Sequence, residues 1–165
     1  MAIHYSISSM LQESLVEMVL AAEQLISYRK DPGIWGSAGC LGWPAATLLL
    51  ATADSIGSYV VGGSVRNHFN ILNHPDFYNL NLGSAEIKII YEDYRCLLTH
   101  NSALPVGASM DIGTDASPVF ESANGGTRIY LLPLLLLTKV VVRRFLLGAS
   151  NANFNENTLR KIFRN

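Results

Sequence analysis

The sequence predicts a mainly α-helical protein, an antiparallel bundle with a small β-hairpin before the last long helix. Apolar residues recur at helical spacing in several stretches. The turn sequence Asn124-Gly125-Gly126 separates two short strand-like runs, and Pro133 then opens an apolar helix to about Leu147. The 165 residues contain no linker, so we expect one domain over 1–165 with a frayed tail from about 149 to 165.

Two helices are predicted in the first third of the chain. Ser9–Gln12 has the form of a capping box, and the apolar pattern that follows stops near Tyr28, where Asp31-Pro32-Gly33 interrupts it. Trp43-Pro44 opens the second helix, which continues over Ala45–Val61. This second helix is apolar on nearly all sides, which predicts a central position in the bundle.

The middle of the chain carries the third helix. Residues 64–81 are polar and predict short helical turns. Ser84 is suited to cap the helix, which is expected to end near Thr99 because Asn101–Pro105 follows. Short strands are expected over Met110–Ile112, Pro118–Glu121 and Thr127–Leu131, with the hairpin between the last two.

Composition limits the classes of partner. Charged residues make up only 15% of the chain and the net charge is −1, so it lacks the basic surface of a general nucleic-acid binder. The low charge fraction favours a surface covered by a second copy. The start of the chain lacks the pattern of a signal peptide, and charges and Pro133 interrupt the most apolar stretch. We therefore expect a cytoplasmic protein that does not insert in a membrane.

No metal or cofactor is expected from the sequence. Cys40 and Cys96 stand alone, without the spacing of a zinc site. His4, His68 and His74 also match no zinc pattern.

Arg95 and His100 are the candidate catalytic residues. RNA cleavage without a metal needs a group of near-neutral pKa to move a proton, and histidine is such a group. It also needs a fixed cation on the phosphate, which a guanidinium provides. On a regular α-helix five residues turn by about 500°, which sets the two side chains about 140° apart. They can share a focus only if the helix loosens near His100.

The segment Arg95-Cys96-Leu97-Leu98-Thr99-His100 resembles the R-x4-H motif of the HEPN family of helical proteins. Aromatic and acidic residues precede the arginine and Asn101 follows the histidine, as in that family. The resemblance implies a homodimeric, metal-independent endoribonuclease of toxin or defence type. His100 would transfer protons and Arg95 would bind the scissile phosphate, while Asn101 and Glu92 would contact the RNA substrate.

An alternative is a non-catalytic HEPN-like module that dimerises or binds a protein partner. Cys96 favours it, because family ribonucleases usually carry a polar residue directly after the arginine. Each site residue also has a structural interpretation. Arg95 can pair with Glu92 or another acid, His100 can bond the last helix carbonyls, and Asn101 can be a left-handed cap.

Asp54 is a possible supporting residue. It lies inside an otherwise apolar helix, and a buried carboxylate needs a partner. The sequence leaves two interpretations open, a capping role or a pair with an arginine such as Arg95 from the adjacent helix.

Overall fold

The structure, a computed structural model, describes residues 7–123 and 125–150. In chain order its helices are α1 (Ile7–Ser27), α2 (Pro32–Trp35), α3 (Gly42–Val60), α4 (Val65–His68), a 3₁₀ turn (Phe69–Asn73), α5 (Ser84–Ile89), a π-helical segment (Ile90–Leu97), α6 (Leu98–Asn101) and α7 (Leu131–Ser150). Its strands are β1 (Ala108–Asp111), β2 (Phe120–Ala123) and β3 (Gly126–Tyr130). The mainly helical fold with a small sheet is therefore confirmed.

The sheet contains the predicted hairpin and, in addition, the parallel pairing of a third strand. Strands β2 and β3 pair antiparallel, with Phe120 opposite Ile129 and Ala123 opposite Gly126. Strand β1 pairs with β3 in parallel, which gives the order β1-β3-β2. The sequence predicted β1 as a strand but not its parallel pairing, because the pairing partner lies across the intervening loop.

Helix α3 lies at the centre of the helical layer. It packs against α1, α7, α4 and the π-helical segment, with one broad face fully buried and most of the opposite side partly covered. Small residues such as Ala45, Ala46 and Ala53 are fully buried there, which lets the neighbouring helices approach closely. The prediction of a central second helix is confirmed.

A buried tyrosine links the helical layer to the sheet. The Tyr94 side chain is fully buried, and its hydroxyl lies 3.0 Å from Thr127 Oγ1 and donates to the Ser109 carbonyl oxygen at 3.1 Å. Burial raises the pKa of Tyr94, although the bonds to Thr127 and Ser109 lower it in part. The neutral hydroxyl thus connects the π-helical segment to β1 and β3.

Several helix ends differ from their predictions. Helix α1 is already formed at Ile7, so Ser9 lies inside it and is not its cap. Asp31 starts a short helix rather than only ending the first one, because its side chain accepts a bond from Gly33 N. Gly83, not Ser84, precedes α5, and its N–H donates to Glu86 Oε2 at 2.7 Å.

The last helix continues to Ser150, three residues beyond the predicted end at Leu147. Most of the tail predicted to fray, 151–165, lies outside the described residues, as does His4. In the described part, no single helix is both long and apolar enough to cross a membrane. Only the pair Gly42–Val60 and Val65–Asn73, bent by 98°, meets that test by length and composition.

Gly57 controls how closely the chain returns to α3 after that helix ends. A Cβ atom at this position would lie 2.2 Å from the carbonyl oxygen of His68. Real Cβ contacts do not come so close, and a backbone atom cannot rotate away. The absence of a side chain at Gly57 therefore allows α4 to pack directly on α3.

Replacing Gly57 by alanine is expected to lower the free energy of unfolding by about 1–3 kcal/mol, because the added methyl forces the His68 backbone outward. Urea unfolding followed by circular dichroism measures this. Gly42→Ala is the matched control on the same helix, since its Cβ would meet side-chain atoms and no backbone, Leu131 Cδ1 at 3.2 Å and Cys40 Sγ at 3.6 Å. Equal stability of the two variants would contradict the close-approach argument.

Candidate functional site

Arg95 and His100 lie on one continuous helical run, Ser84–Asn101, whose winding changes twice. The run is α-helical to Ile89, π-helical over Ile90–Leu97 and α-helical again to its end. A π turn takes more residues than an α turn, so each residue rotates the chain by a smaller angle. The angle between the Arg95 and His100 side chains is therefore smaller than the roughly 140° of a regular α-helix. The helix therefore loosens before His100, at Arg95 itself, and not by ending near Thr99.

Arg95 pairs with Asp54 of α3. Its Nη2 donates to Asp54 Oδ2 at 2.9 Å. Burial lowers the pKa of Arg95, but the charge of Asp54 and the hydrogen bond to it contribute to a net increase. Of the two interpretations of Asp54, pairing with Arg95 is the observed one. Arg95 does not pair with Glu92.

His68 completes this group on the other side of the carboxylate. Its Nδ1 lies 2.8 Å from Asp54 Oδ1, and because an ionised carboxylate only accepts hydrogen bonds, Nδ1 is the donor. The side chains are 13% exposed for His68, 15% for Asp54 and 27% for Arg95. Asp54, His68 and Arg95, which we call the Asp54 cluster, thus form a mostly covered network with the arginine as its most exposed member.

The sequence pattern did not predict that His68 pairs with Asp54. His68 was considered only as a metal ligand, and its separation of 14 residues from Asp54 corresponds to no local spacing. One signal was present, Gly57, which lies one helical turn after Asp54 and permits the close approach of the His68 backbone. That signal has meaning only once α4 is known to return onto α3.

The surroundings of Arg95 include Tyr91 and Cys96. A hydrogen bond with Cys96 raises the pKa of Tyr91, and burial raises it further. The ring of Tyr91 also packs against the buried Phe69, with ring centroids 5.6 Å apart. Cys96 is partly buried and also interacts with Arg95, so it belongs to the wall of the site.

In the described residues, the remaining predicted residues make no hydrogen bond or ion pair with the Asp54 cluster. His100 and Asn101 are exposed in the last turn of the run, and neither side chain bonds to another group within the described part of the chain. The left-handed cap is Ser102, with φ 50°, and not Asn101. Glu92 is exposed and forms a 3.8 Å ion pair with Lys88. The structure brings Arg95 and Asp54 together but joins neither to His100, Asn101 or Glu92.

This arrangement offers two separate chemical functions. The cluster holds a guanidinium in a fixed direction while more than a quarter of the Arg95 side chain stays exposed. A fixed, partly exposed guanidinium can bind a phosphate or carboxylate. The exposed imidazole of His100 can transfer a proton. Among residues 7–123 and 125–150, no group of three or more His, Cys, Asp or Glu residues is placed to hold a metal ion.

Comparison with known proteins gives no relatives for this chain, since no family model, curated protein or solved structure matches it.

Removing the charge of Asp54 is expected to leave Arg95 and His68 without their common acceptor. Asp54→Asn should lower the free energy of unfolding by about 1–3 kcal/mol, as expected for an incompletely buried pair. The double variant Asp54→Asn with Arg95→Gln should lose less than the sum of the single variants, because each removes the same interaction.

Urea unfolding of the three variants measures this coupling. Glu92→Gln is the control, because its ion pair with Lys88 is about half exposed and should contribute less than about 1 kcal/mol. Additive losses in the double variant would show that Asp54 and Arg95 do not stabilise each other.

Proposed function

We propose that the protein is a HEPN-type endoribonuclease that cleaves RNA without a metal ion. The observation that carries the proposal is the placement of Arg95 and His100. Asp54 holds Arg95 in place, and the exposed His100 follows in the last turn of the same helical run. The HEPN-like arrangement of the bundle, inferred from the R-x4-H motif, is part of this proposal.

Arg95 has the properties that a phosphate-binding group needs. Its guanidinium is oriented by a carboxylate bond through Nη2, which leaves other N–H groups of the fork for a second anion. Holding the side chain before substrate arrives reduces the rotamer entropy lost on binding. In this proposal Asp54 and His68 are positioning residues, and Arg95 stabilises the charge that develops on the scissile phosphate.

His100 has the properties of a proton-transfer group. It is exposed at a helix end where RNA can reach it, and no side-chain hydrogen bond or ion pair in the described residues restrains it. The neighbouring Asn101 is also exposed and is assigned to a polar substrate contact. Glu92 lies on the exposed surface and is assigned a secondary contact to the RNA.

The setting of the enzyme is part of the same proposal. We assign it to the cytoplasm, outside any membrane, as a homodimer that acts on RNA in a toxin or defence system. The weak net charge of −1 favours recognition by local groups over a general attraction for nucleic acid.

A second candidate is a non-catalytic interaction module that dimerises or binds another protein. It is favoured by the engagement of Arg95 with Asp54, which reduces the arginine's availability for substrate. It is also favoured by four pockets in the described residues, because neither Arg95 nor His100 lines any of these four.

RNA cleavage in the presence of EDTA tests the proposal. Wild-type protein should cleave single-stranded RNA, and His100→Ala should lower the rate by about 100-fold or more, because a proton-transfer group contributes roughly that factor. Arg95→Gln should lower the rate as well. Cleavage products separated on a denaturing gel give the rates.

His74→Gln is the matched control, since this histidine lies outside the Asp54 cluster and contacts Phe77 and the Asp76 backbone. It should cleave like the wild type. Equal cleavage by wild type and His100→Ala, or no cleavage of any RNA by the folded protein, would reject the ribonuclease. Absence of cleavage would leave the interaction module as the function.

A further inference from the structure

Helices α1 and α7 lie side by side and each exposes an apolar stripe on its outer face. On α1 the stripe contains Val16 and Leu20, the latter 53% exposed. On α7 it contains Leu136, Val140 and Leu147, at the three- and four-residue spacing of one helix face. Scattered exposed apolar residues are common, but Val16, Leu20 and Leu147 of the two stripes also line one groove between the helices, which indicates an interaction surface.

A groove of about 550 Å³ runs between these stripes. Its walls are mostly aliphatic, and Glu23 of α1 bridges to Lys139 of α7 within it. The outer face of α1 and α7, with this groove, is called the α1–α7 surface below. The groove is open and apolar, so covering it would remove apolar area from water.

The charges of the α1–α7 surface are separated by helix. In the described residues, the charged side chains of α1 are all acidic and those of α7 are all basic. On α1 they are Glu13, Glu17 and Glu23, and on α7 Lys139, Arg143 and Arg144. Glu23 and Lys139 pair with each other and Arg144 donates to the Asp76 carbonyl oxygen, so the charges offered to a partner centre on Glu17 and Arg143. A partner for this surface therefore needs a basic group opposite α1 and an acidic group opposite α7, with apolar residues between them.

A second copy of the same surface has that pattern. When two copies face each other across a two-fold axis, the acidic α1 of one protomer can lie over the basic α7 of its partner, and the reverse contact forms at the same time. We propose that the protein forms a homodimer through the α1–α7 surface, with each α1 packed on the α7 of the partner.

The size of the surface agrees with a stable dimer. A helix of 21 residues such as α1 is about 30 Å long and about 10 Å wide, so two helices side by side cover roughly 600 Å² in projection. The accessible area of such a corrugated face exceeds its projection. It approaches the roughly 800 Å² per partner of a standard interface.

This dimer places the Asp54 cluster outside the interface. Helices α1 and α7 turn their buried faces to α3, and Arg95 reaches α3 from the π-helical segment, which α3 also contacts. The two Arg95–His100 ends therefore stay separate, one on each protomer, and do not share one cleft. The interface adds to the homodimer of the proposed function, but α1 and α7 contribute no residue to the Arg95–His100 site. A monomeric protein that cleaves RNA would therefore overturn the interface and leave the ribonuclease standing.

Charge-reversed variants test the pairing of α1 with the partner's α7. Glu17 and Arg143 are both exposed. The two-fold dimer contains two contacts between α1 and the partner's α7. In a homodimer of Glu17→Lys, or of Arg143→Glu, both contacts bring like charges together, so each variant should raise the dimer dissociation constant by about tenfold or more. An equimolar mixture should form the heterodimer, because both cross-contacts are then attractive. Sedimentation velocity and native mass spectrometry, with one variant ¹⁵N-labelled, measure these populations.

Asp115→Lys is the matched control, since it makes the same change of charge on an exposed loop outside the surface. It should dimerise like the wild type, and circular dichroism should show that every variant is folded. A monomeric wild type at all concentrations, homodimers of both single variants at wild-type strength, or a mixture without heterodimer would overturn the proposal. Dimerisation that appears only after removal of residues 151–165 would also overturn it, because the chain's own tail would then be the occupant.

Discussion

A carboxylate inside an apolar helix has to be paired, and this requirement organises one side of the molecule. Asp54 lies in the central helix α3, where its two oxygens accept bonds from His68 and Arg95. These bonds bring together two segments far apart in the chain, the short helix α4 and the π-helical segment. Loss of this pairing is expected to cost about 1–3 kcal/mol, a sizeable part of the roughly 5–15 kcal/mol that stabilise a domain.

The π-helical segment connects that network to the rest of the fold. Arg95 contacts α3, and the preceding Tyr94 points its buried hydroxyl at β1 and β3. A π turn changes the angle between side chains, so neighbouring residues on one short segment can serve both the helices and the sheet. The winding of this segment therefore positions both the Arg95 contact to Asp54 and the Tyr94 contact to the sheet. His100 lies further along the same helical run, in its last turn.

The sequence predicted much of the fold, because helical spacing and turn residues are local signals. The central apolar helix and the hairpin over β2 and β3 were predicted correctly, with bounds within a few residues. Helix caps were less well predicted: Ser9 and Ser84 have the right chemistry, but the helices begin before them or at them. The parallel pairing of β1 with β3 and the role of His68 depend on contacts between distant segments, which no local pattern encodes.

By itself, the sequence determined the helical class, the apolar character of the central helix and the motif that places Arg95 five residues before His100. It also left Asp54 with two possible roles. The tertiary structure decided between them, because packing of the π-helical segment on α3 brought the guanidinium to the carboxylate at 2.9 Å. Gly57 let the His68 backbone approach the same helix, so close packing, and not spacing along the chain, selected the members of the cluster.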